Sequence, residues 1–173
     1  MSLVVNMEAK KNSHSDGTKI KELDEPFNFE FQDNKDKVFH LSDLIGKKNI
    51  VIYFYPKDFT PGCSIEAEEF SRDYDQFKRL NTEIIGISPD SRDSHVKFRE
   101  KMNIPYMLAS DTQNEISNKY GVFGLKSFMG KEYYGVTRST FLIDISGRVV
   151  KIYDKVKAKG HSKEVLEFLE SVQ

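Results

Sequence analysis

Cysteine is almost missing from this chain: Cys63 stands alone among 173 residues, and tryptophan does not occur. One cysteine forms no internal disulfide, which excludes a secreted scaffold stapled by bridges. A free thiol also fits a reducing cytoplasm better than an oxidising exterior. Histidine is sparse as well. His14, His40, His95 and His161 are scattered without ligand spacing, so neither a metal nor another cofactor is expected. Charge of one sign is lacking, with 26 basic residues against 27 acidic ones and a formal net charge of −1. No field therefore steers the chain towards nucleic acid or an anionic membrane. No apolar run approaches the ~20 residues that a bilayer span needs. The opening MSLVVNMEAKKNSHSDGT has neither a basic first segment nor a signal-length apolar core. Met1-Ser2-Leu3 is compatible with an expression remnant, and Met7 with an alternative start. Internal repeats and low-complexity tracts are also lacking.

What is present reads as one domain of ordinary soluble composition, long enough to bury a sizeable core. Residues 1–24 are polar and aperiodic, a loosely held arm, and residues 25–173 form the domain. FNFEFQ (27–32) alternates at period two and predicts a strand, with KVFHL returning as its hairpin partner. LSDLIGKK is a short helical turn. NIVIYFY (49–55) is apolar throughout and rich in β-branched and aromatic residues, as in a strand buried on both faces. A helix follows to about Leu80, with Cys63, Ala67, Phe70, Tyr74 and Phe77 on one face. TEIIGIS (82–88) is a second buried strand, and PDSRDSHVKFREKM starts and carries a helix broken before Pro105. YMLAS and TQNEISNKYGV follow, then a loop, GLKSFMGKEYYGV. STFLIDISGRVVKIYDKV reads as two strands joined at Ser-Gly. The tail places Val165, Phe168, Leu169 and Val172 on one helical face. Strands alternating with helices indicate an α/β domain with parallel pairing, finished by an antiparallel hairpin and a last helix.

Thr60 is a good N-cap, Pro61 occupies the first helical position, and Cys63 falls in the first turn. Unpaired backbone N–H groups and the positive end of the helix dipole favour an anion there. A thiol so placed ionises more readily than a free one, although an apolar face opposes the charge. These residues alone leave two readings open. Free cysteine is among the most buried residue types and Cys63 lies on an apolar stripe, so an inert core thiol stands beside a reactive thiolate. Arg138 by itself reads as a surface arginine at a strand entry, and Glu66 as an exposed first-turn residue near the positive helix end. Thr60 alone is a cap, and Pro56 a strand terminator.

The segment YPKDFTPGCSIEAEEF resembles the active-site segment of peroxiredoxins, in particular the bacterioferritin-comigratory (PrxQ-type) subfamily. The family pattern of proline, three residues, threonine, two residues and the peroxidatic cysteine is matched by Pro56, Thr60 and Cys63. The family's glutamate three residues on matches Glu66, and its distant active-site arginine matches Arg138 in GVTRSTFLID. The similarity runs on through GISPDSRDSHVKFREK, LASD and YGV, across roughly residues 24–172. It implies a thioredoxin-like fold, a central mixed β-sheet flanked by helices with an N-terminal β-hairpin extension. It implies a thiol peroxidase acting on hydrogen peroxide and small organic hydroperoxides through a Cys63 sulfenic acid. In that reading Arg138 stabilises the thiolate and the peroxide oxygens, Thr60 contacts the peroxide or the sulfur, Pro56 shields the sulfur, and Glu66 holds Arg138. The subfamily's habit suggests a monomer or weak homodimer.

The chain departs from the subfamily at one position. Many members carry a resolving cysteine five residues after the peroxidatic one, where this chain has Glu68. The resemblance therefore implies a one-cysteine cycle completed by an external thiol: glutathione, glutaredoxin, thioredoxin or another small thiol. Two further functions compete. A thiol–disulfide oxidoreductase normally uses Cys-X-X-Cys, and the partner position here is Thr60. A non-catalytic thioredoxin-like binding or holdase module needs no reactive thiol at all.

Overall fold

The computed structural model describes residues 20–33 and 35–172. Two short strands, β1 (Glu30–Gln32) and β2 (Val38–His40), pair antiparallel with Phe31 opposite Phe39. The predicted strand over 27–32 is thus only its second half. Ahead of it Phe27 and Phe29 pack edge-on against Tyr120, whose hydroxyl donates to the Phe27 carbonyl at 2.6 Å. A 3₁₀ turn (Leu41–Asp43) leads into β3 (Asn49–Phe54), α1 (Pro61–Arg79), β4 (Thr82–Ser88) and α2 (Arg92–Met102). After these come β5 (Met107–Ser110), α3 (Glu115–Tyr120), β6 (Phe123–Phe128), β7 (Lys131–Val136), β8 (Ser139–Ile143), β9 (Val149–Tyr153) and α4 (His161–Ser171).

The main sheet has the order β5-β4-β3-β8-β9, with β3, β4 and β5 parallel and β8 antiparallel to both its neighbours. Every residue of β3 and β4 is buried, and their apolar centres, residues 50–54 and 84–87, fit strands covered on both faces. The period of two divides β3 between two cores. Ile50, Ile52 and Phe54 meet Ile85, Ile87, Phe141 and Tyr120 on one face. Val51, Tyr53 and Tyr55 meet Cys63, Ala67, Phe70, Phe77, Phe98 and Val165 on the other. Phe70 stacks on Tyr53 at 4.8 Å between ring centroids, and burying each such ring stabilises the fold by about 1.5–3 kcal/mol.

Three further expectations change. The segment 124–136 is not a loop: β6 and β7 form an antiparallel hairpin with Phe128 opposite Lys131. Its two-residue turn, Met129-Gly130, has φ of 53° and 79°, the positive values that suit the twist of a tight hairpin. In α4 the inward face is Val165, Leu166 and Leu169, with Phe168 half-buried, whereas Val172 lies past the last turn and is exposed. Of the arm expected over 1–24, residues 1–19 fall outside the described residues. Residues 20–24 are not loosely held: Ile20 is buried, Leu23 N–H donates to Val149 O, and Val149 N–H donates to Asp24 O.

The register of the sheet places the site. Phe54, the last residue of β3, lies opposite Ser139, the first of β8. The loop leaving β3 towards α1 and the residue entering β8, Arg138, therefore share one end of the sheet.

Candidate active site

Cys63 is the third residue of α1 and is buried, facing the same way as Ala67 and Phe70. Its sulfur accepts a hydrogen bond from Nη2 of Arg138 at 3.3 Å. Nη1 of the same guanidinium donates to Oε1 of Glu66 at 2.6 Å. One planar fork thus spans a thiol and a carboxylate one helical turn apart, with two separate nitrogens in fixed geometry where a lysine has a single one. Burial works against the charge of Arg138, but Glu66 and Cys63 beside it prevail and hold it firmly protonated.

Glu66 overturns its reading as an exposed first-turn residue: it is 1% exposed. The spacing of three from Cys63 puts it on the buried side of α1, where a carboxylate is tolerated because the guanidinium meets it. Burial pushes its carboxyl up to about 7, against the pull of Arg138. Its other oxygen, Oε2, has no hydrogen-bond partner among the described residues. A charged residue interrupting the apolar stripe of a helix was the signal in the sequence.

Thr60 is the residue before α1 and has the extended backbone of an N-cap (φ −73°, ψ 152°), but its side chain makes no capping bond. Its hydroxyl donates instead to the Lys57 carbonyl at 2.9 Å, closing the loop on itself and leaving the oxygen lone pairs free to accept. Pro56 is half-buried in the same loop, two residues beyond the end of β3. Arg138 therefore touches both Cys63 and Glu66, and Thr60 and Pro56 lie in the segment that leads to Cys63.

Gly62, between Pro61 and Cys63 in the first turn of α1, also shapes the site. A Cβ built on it would lie 3.1 Å from Arg138 Nη2, so the absence of a side chain lets the guanidinium close over the first turn of α1. Lys126 of β6 is a further cation nearby. Its ammonium donates to the Val136 carbonyl at 3.0 Å, and burial together with Arg138 lowers its pKa. Among the described residues, one group of ligand-type side chains has donor atoms within 4.8 Å of one another: Asp58, Asp90 and His95. Chemically, the site offers a buried sulfur, a fixed guanidinium donor on it, and a helix N-terminus whose free N–H groups favour negative charge.

The AhpC/TSA family model matches residues 24–152. Peroxiredoxin Bcp of Bacillus subtilis (strain 168) is 48% identical over 132 residues, covering 76% of this chain and 83% of that protein. Peroxiredoxin Bcp of Escherichia coli (strain K12) is 36% identical over 141 residues, covering 82% and 90%. Among solved structures, the Xanthomonas campestris bacterioferritin comigratory protein, described with a trapped intermediate and ligand for its alkyl peroxide reduction activity, superposes with a TM-score of 0.78. It shares 34% identity over 83% of this chain and 91% of that one. A cysteine-to-serine mutant of Xylella fastidiosa PrxQ gives a TM-score of 0.83 at 33% identity, covering 88% and 97%. Matched along most of its length in sequence and in structure, the chain belongs to the AhpC/TSA family, as a peroxiredoxin, and so a peroxidase, of the bacterioferritin-comigratory group.

Proposed function

We propose that this peroxidase reduces hydrogen peroxide and small organic hydroperoxides by a one-cysteine cycle. The Cys63 thiolate attacks one peroxide oxygen in line with the O–O bond. That bond breaks, sulfur takes the oxygen as a sulfenic acid, and the other oxygen leaves with a proton as water or an alcohol. Arg138 hydrogen-bonds the sulfur and the oxygens as charge moves between them, and the backbone N–H of Cys63 is a further donor. Thr60, with its lone pairs free, accepts from the peroxide hydrogen. Pro56 limits water around the sulfur, and Glu66 aims the guanidinium. The observation that carries this reading is the Arg138 fork, 3.3 Å from Sγ on one side and 2.6 Å from Glu66 on the other. The alkyl peroxide activity of the Xanthomonas relative supports the substrate class.

Glu68 is exposed and no second cysteine exists, so the oxidised sulfur is resolved from outside. One external thiol condenses with the sulfenic acid, releasing water and leaving a mixed disulfide. A second thiol then displaces the first as a disulfide and restores Cys63. Thioredoxin, glutathione and glutaredoxin are thiol donors of the required class. A monomer or weak homodimer in the cytoplasm accords with this dependence on reduced thiols. Among the described residues no helix is long and apolar enough to cross a membrane.

Intact-mass measurement after peroxide tests the cycle. One added oxygen is expected on the wild type and none on Cys63→Ser, with the starting mass restored by glutathione or thioredoxin. Full peroxide consumption by Cys63→Ser would sink the assignment.

A further inference from the structure

Asp58 lies in the loop that carries Pro56 and Thr60 into α1, yet it is only 3% exposed. Its carboxylate is held from three directions. The Tyr55 hydroxyl donates to Oδ1 at 2.7 Å, while the Ser94 hydroxyl and His95 Nδ1 each lie 2.8 Å from Oδ2. The Asp58 backbone N–H donates to Asp90 Oδ2 at 2.8 Å, and that oxygen also accepts from Ser88 Oγ at 2.6 Å. The ends of β3 and β4, the start of α2 and the active-site loop thus converge on one buried side chain. Although Asp58, Asp90 and His95 have the spacing of a cation cage, these bonds already engage their donor atoms.

His95 is itself buried, and its second ring nitrogen, Nε2, lies 3.2 Å from the Ala109 carbonyl. A carbonyl oxygen only accepts, so Nε2 carries a hydrogen. Nδ1 faces a carboxylate that already takes bonds from two hydroxyls. The pair is satisfied when the ring holds both of its protons against an ionised Asp58. Losing one sets the Nδ1 lone pair against a carboxylate oxygen where no water can intervene. The groups facing this pair are Tyr55 from β3, Asp90 from the β4–α2 turn and the Ala109 carbonyl from β5. Arg99, one turn along α2, is bound to the Tyr106 carbonyl at 3.0 Å. Burial and then Asp58 push the Tyr55 hydroxyl well above its ordinary range, so it remains a donor.

The loop does not rest in its intrinsic conformation. Phe59, next to Asp58, has φ of 68°, the left-handed region that a bulky residue occupies only under constraint. Its ring sits edge-on to Phe98 of α2 at 5.2 Å. We propose that Asp58 and doubly protonated His95 form a proton-dependent latch that clamps the Pro56–Thr60 loop to α2 and so holds Cys63 in its peroxide-ready position. Both are positioning residues, and the consequence for peroxide rests on the peroxidase reading above.

The test compares wild type, His95→Asn and His95→Leu over a pH series. Asn places an amide N–H close to the Nδ1 position, keeping the bond to Asp58 with a hydrogen that does not titrate. Three quantities are read: the protonation of the His95 ring by ¹⁵N NMR, single-turnover oxidation of Cys63 by hydrogen peroxide, and alkylation of Cys63 by a neutral haloacetamide. Both ring nitrogens of the wild type should carry hydrogen wherever oxidation is fast. As the ring proton is lost, oxidation should fall about 10-fold and alkylation rise relative to His95→Asn, because the loop opens. His95→Asn should stay within about 3-fold of wild type and lack that limb, and His95→Leu should oxidise on the order of 10- to 100-fold more slowly at every pH. A singly protonated ring under conditions of fast oxidation overturns the latch. So does the same pH limb in His95→Asn, or wild-type oxidation and alkylation in His95→Leu. If His95→Leu does not fold, the ring spectrum and His95→Asn decide. A wild type inert to peroxide removes the peroxidase reading instead, while the spectrum and the alkylation rates still judge the latch.

Discussion

Arg138 Nη1 lies 2.6 Å from Glu66 Oε1, although 72 residues of chain separate the two. The contact exists because β8 runs antiparallel beside β3, bringing the entry of β8 to the end of the sheet where α1 begins. Glu66 is fully shielded and the Arg138 side chain is 15% exposed, so the pair is anchored on the inside and open at its outer edge. In the proposed cycle that asymmetry lets the guanidinium stay fixed and still meet a small peroxide.

Arg138→Lys should lower kcat/KM for peroxide by about 10²–10³, because an ammonium gives one point of charge where the fork gives two aligned donors. Arg138→Ala should in addition lose about 1–3 kcal/mol of stability, since the Glu66 carboxyl would be left buried without its hydrogen-bond donor. Steady-state peroxidase assays and urea denaturation check the two effects separately. An Arg138→Lys enzyme as fast as wild type excludes the bidentate role.

Glu66 makes stability depend on pH. Its carboxyl has an ordinary value of 4.5 and lies at about 7 in the fold, burial being the main cause. Between these values the folded chain keeps a proton that the unfolded chain has released. The stabilisation is therefore complete below the lower value, declines as pH rises towards the upper one, and is level beyond it. At about 1.4 kcal/mol per pH unit the whole decline is about 3 kcal/mol. Glu66→Gln, made in a Cys63→Ser background to remove the thiol, should gain about that much relative to its parent between about pH 4 and pH 8. Urea titrations across this range measure it, and a difference independent of pH rules it out.

Gly62→Ala should separate activity from stability. The new methyl group would sit 3.1 Å from Nη2, and the bond to Glu66 limits how far the guanidinium can retreat. Displacement by a few tenths of an ångström should slow peroxide reduction by about 10-fold, with stability changed by less than about 1 kcal/mol. Kinetics and thermal denaturation of the same preparation give both numbers.

Gly86→Ala probes the core beneath the site. Its Cβ would fall 2.9 Å from Leu108 Cδ2 and from both Cζ and the hydroxyl of Tyr53, with no room on either side of β4. Tyr53 is further tied by a 2.5 Å hydrogen bond to the Tyr106 hydroxyl. Overpacking here should cost about 1–3 kcal/mol. A neutral or stabilising result in chemical denaturation would contradict it.

Much of this was legible along the chain, for reasons that particular residues make plain. The run Asn49–Phe54 announced a central strand because a strand covered on both faces has no polar side to show. Cys63, Ala67, Phe70 and Phe77 announced the inner face of α1 because helical periodicity is local. The β6–β7 hairpin went unread because its turn is Met129-Gly130, and methionine is not a residue that advertises a positive φ. Thr60 has the backbone of a cap without the capping bond, because its hydroxyl finds the Lys57 carbonyl first.

By itself, then, the sequence determined the order and kind of the main elements, the position of the only thiol at a helix start, and the want of any second thiol. These follow from short-range periodicity, turn chemistry and composition. Only the tertiary structure decided that Glu66 is buried, that Arg138 reaches both it and Cys63, and that Asp58 and His95 meet across 37 residues. A charge is stable away from water only beside its partner, and which partner arrives is set by the register of β3 with β8 and the seating of α2, which no local pattern encodes.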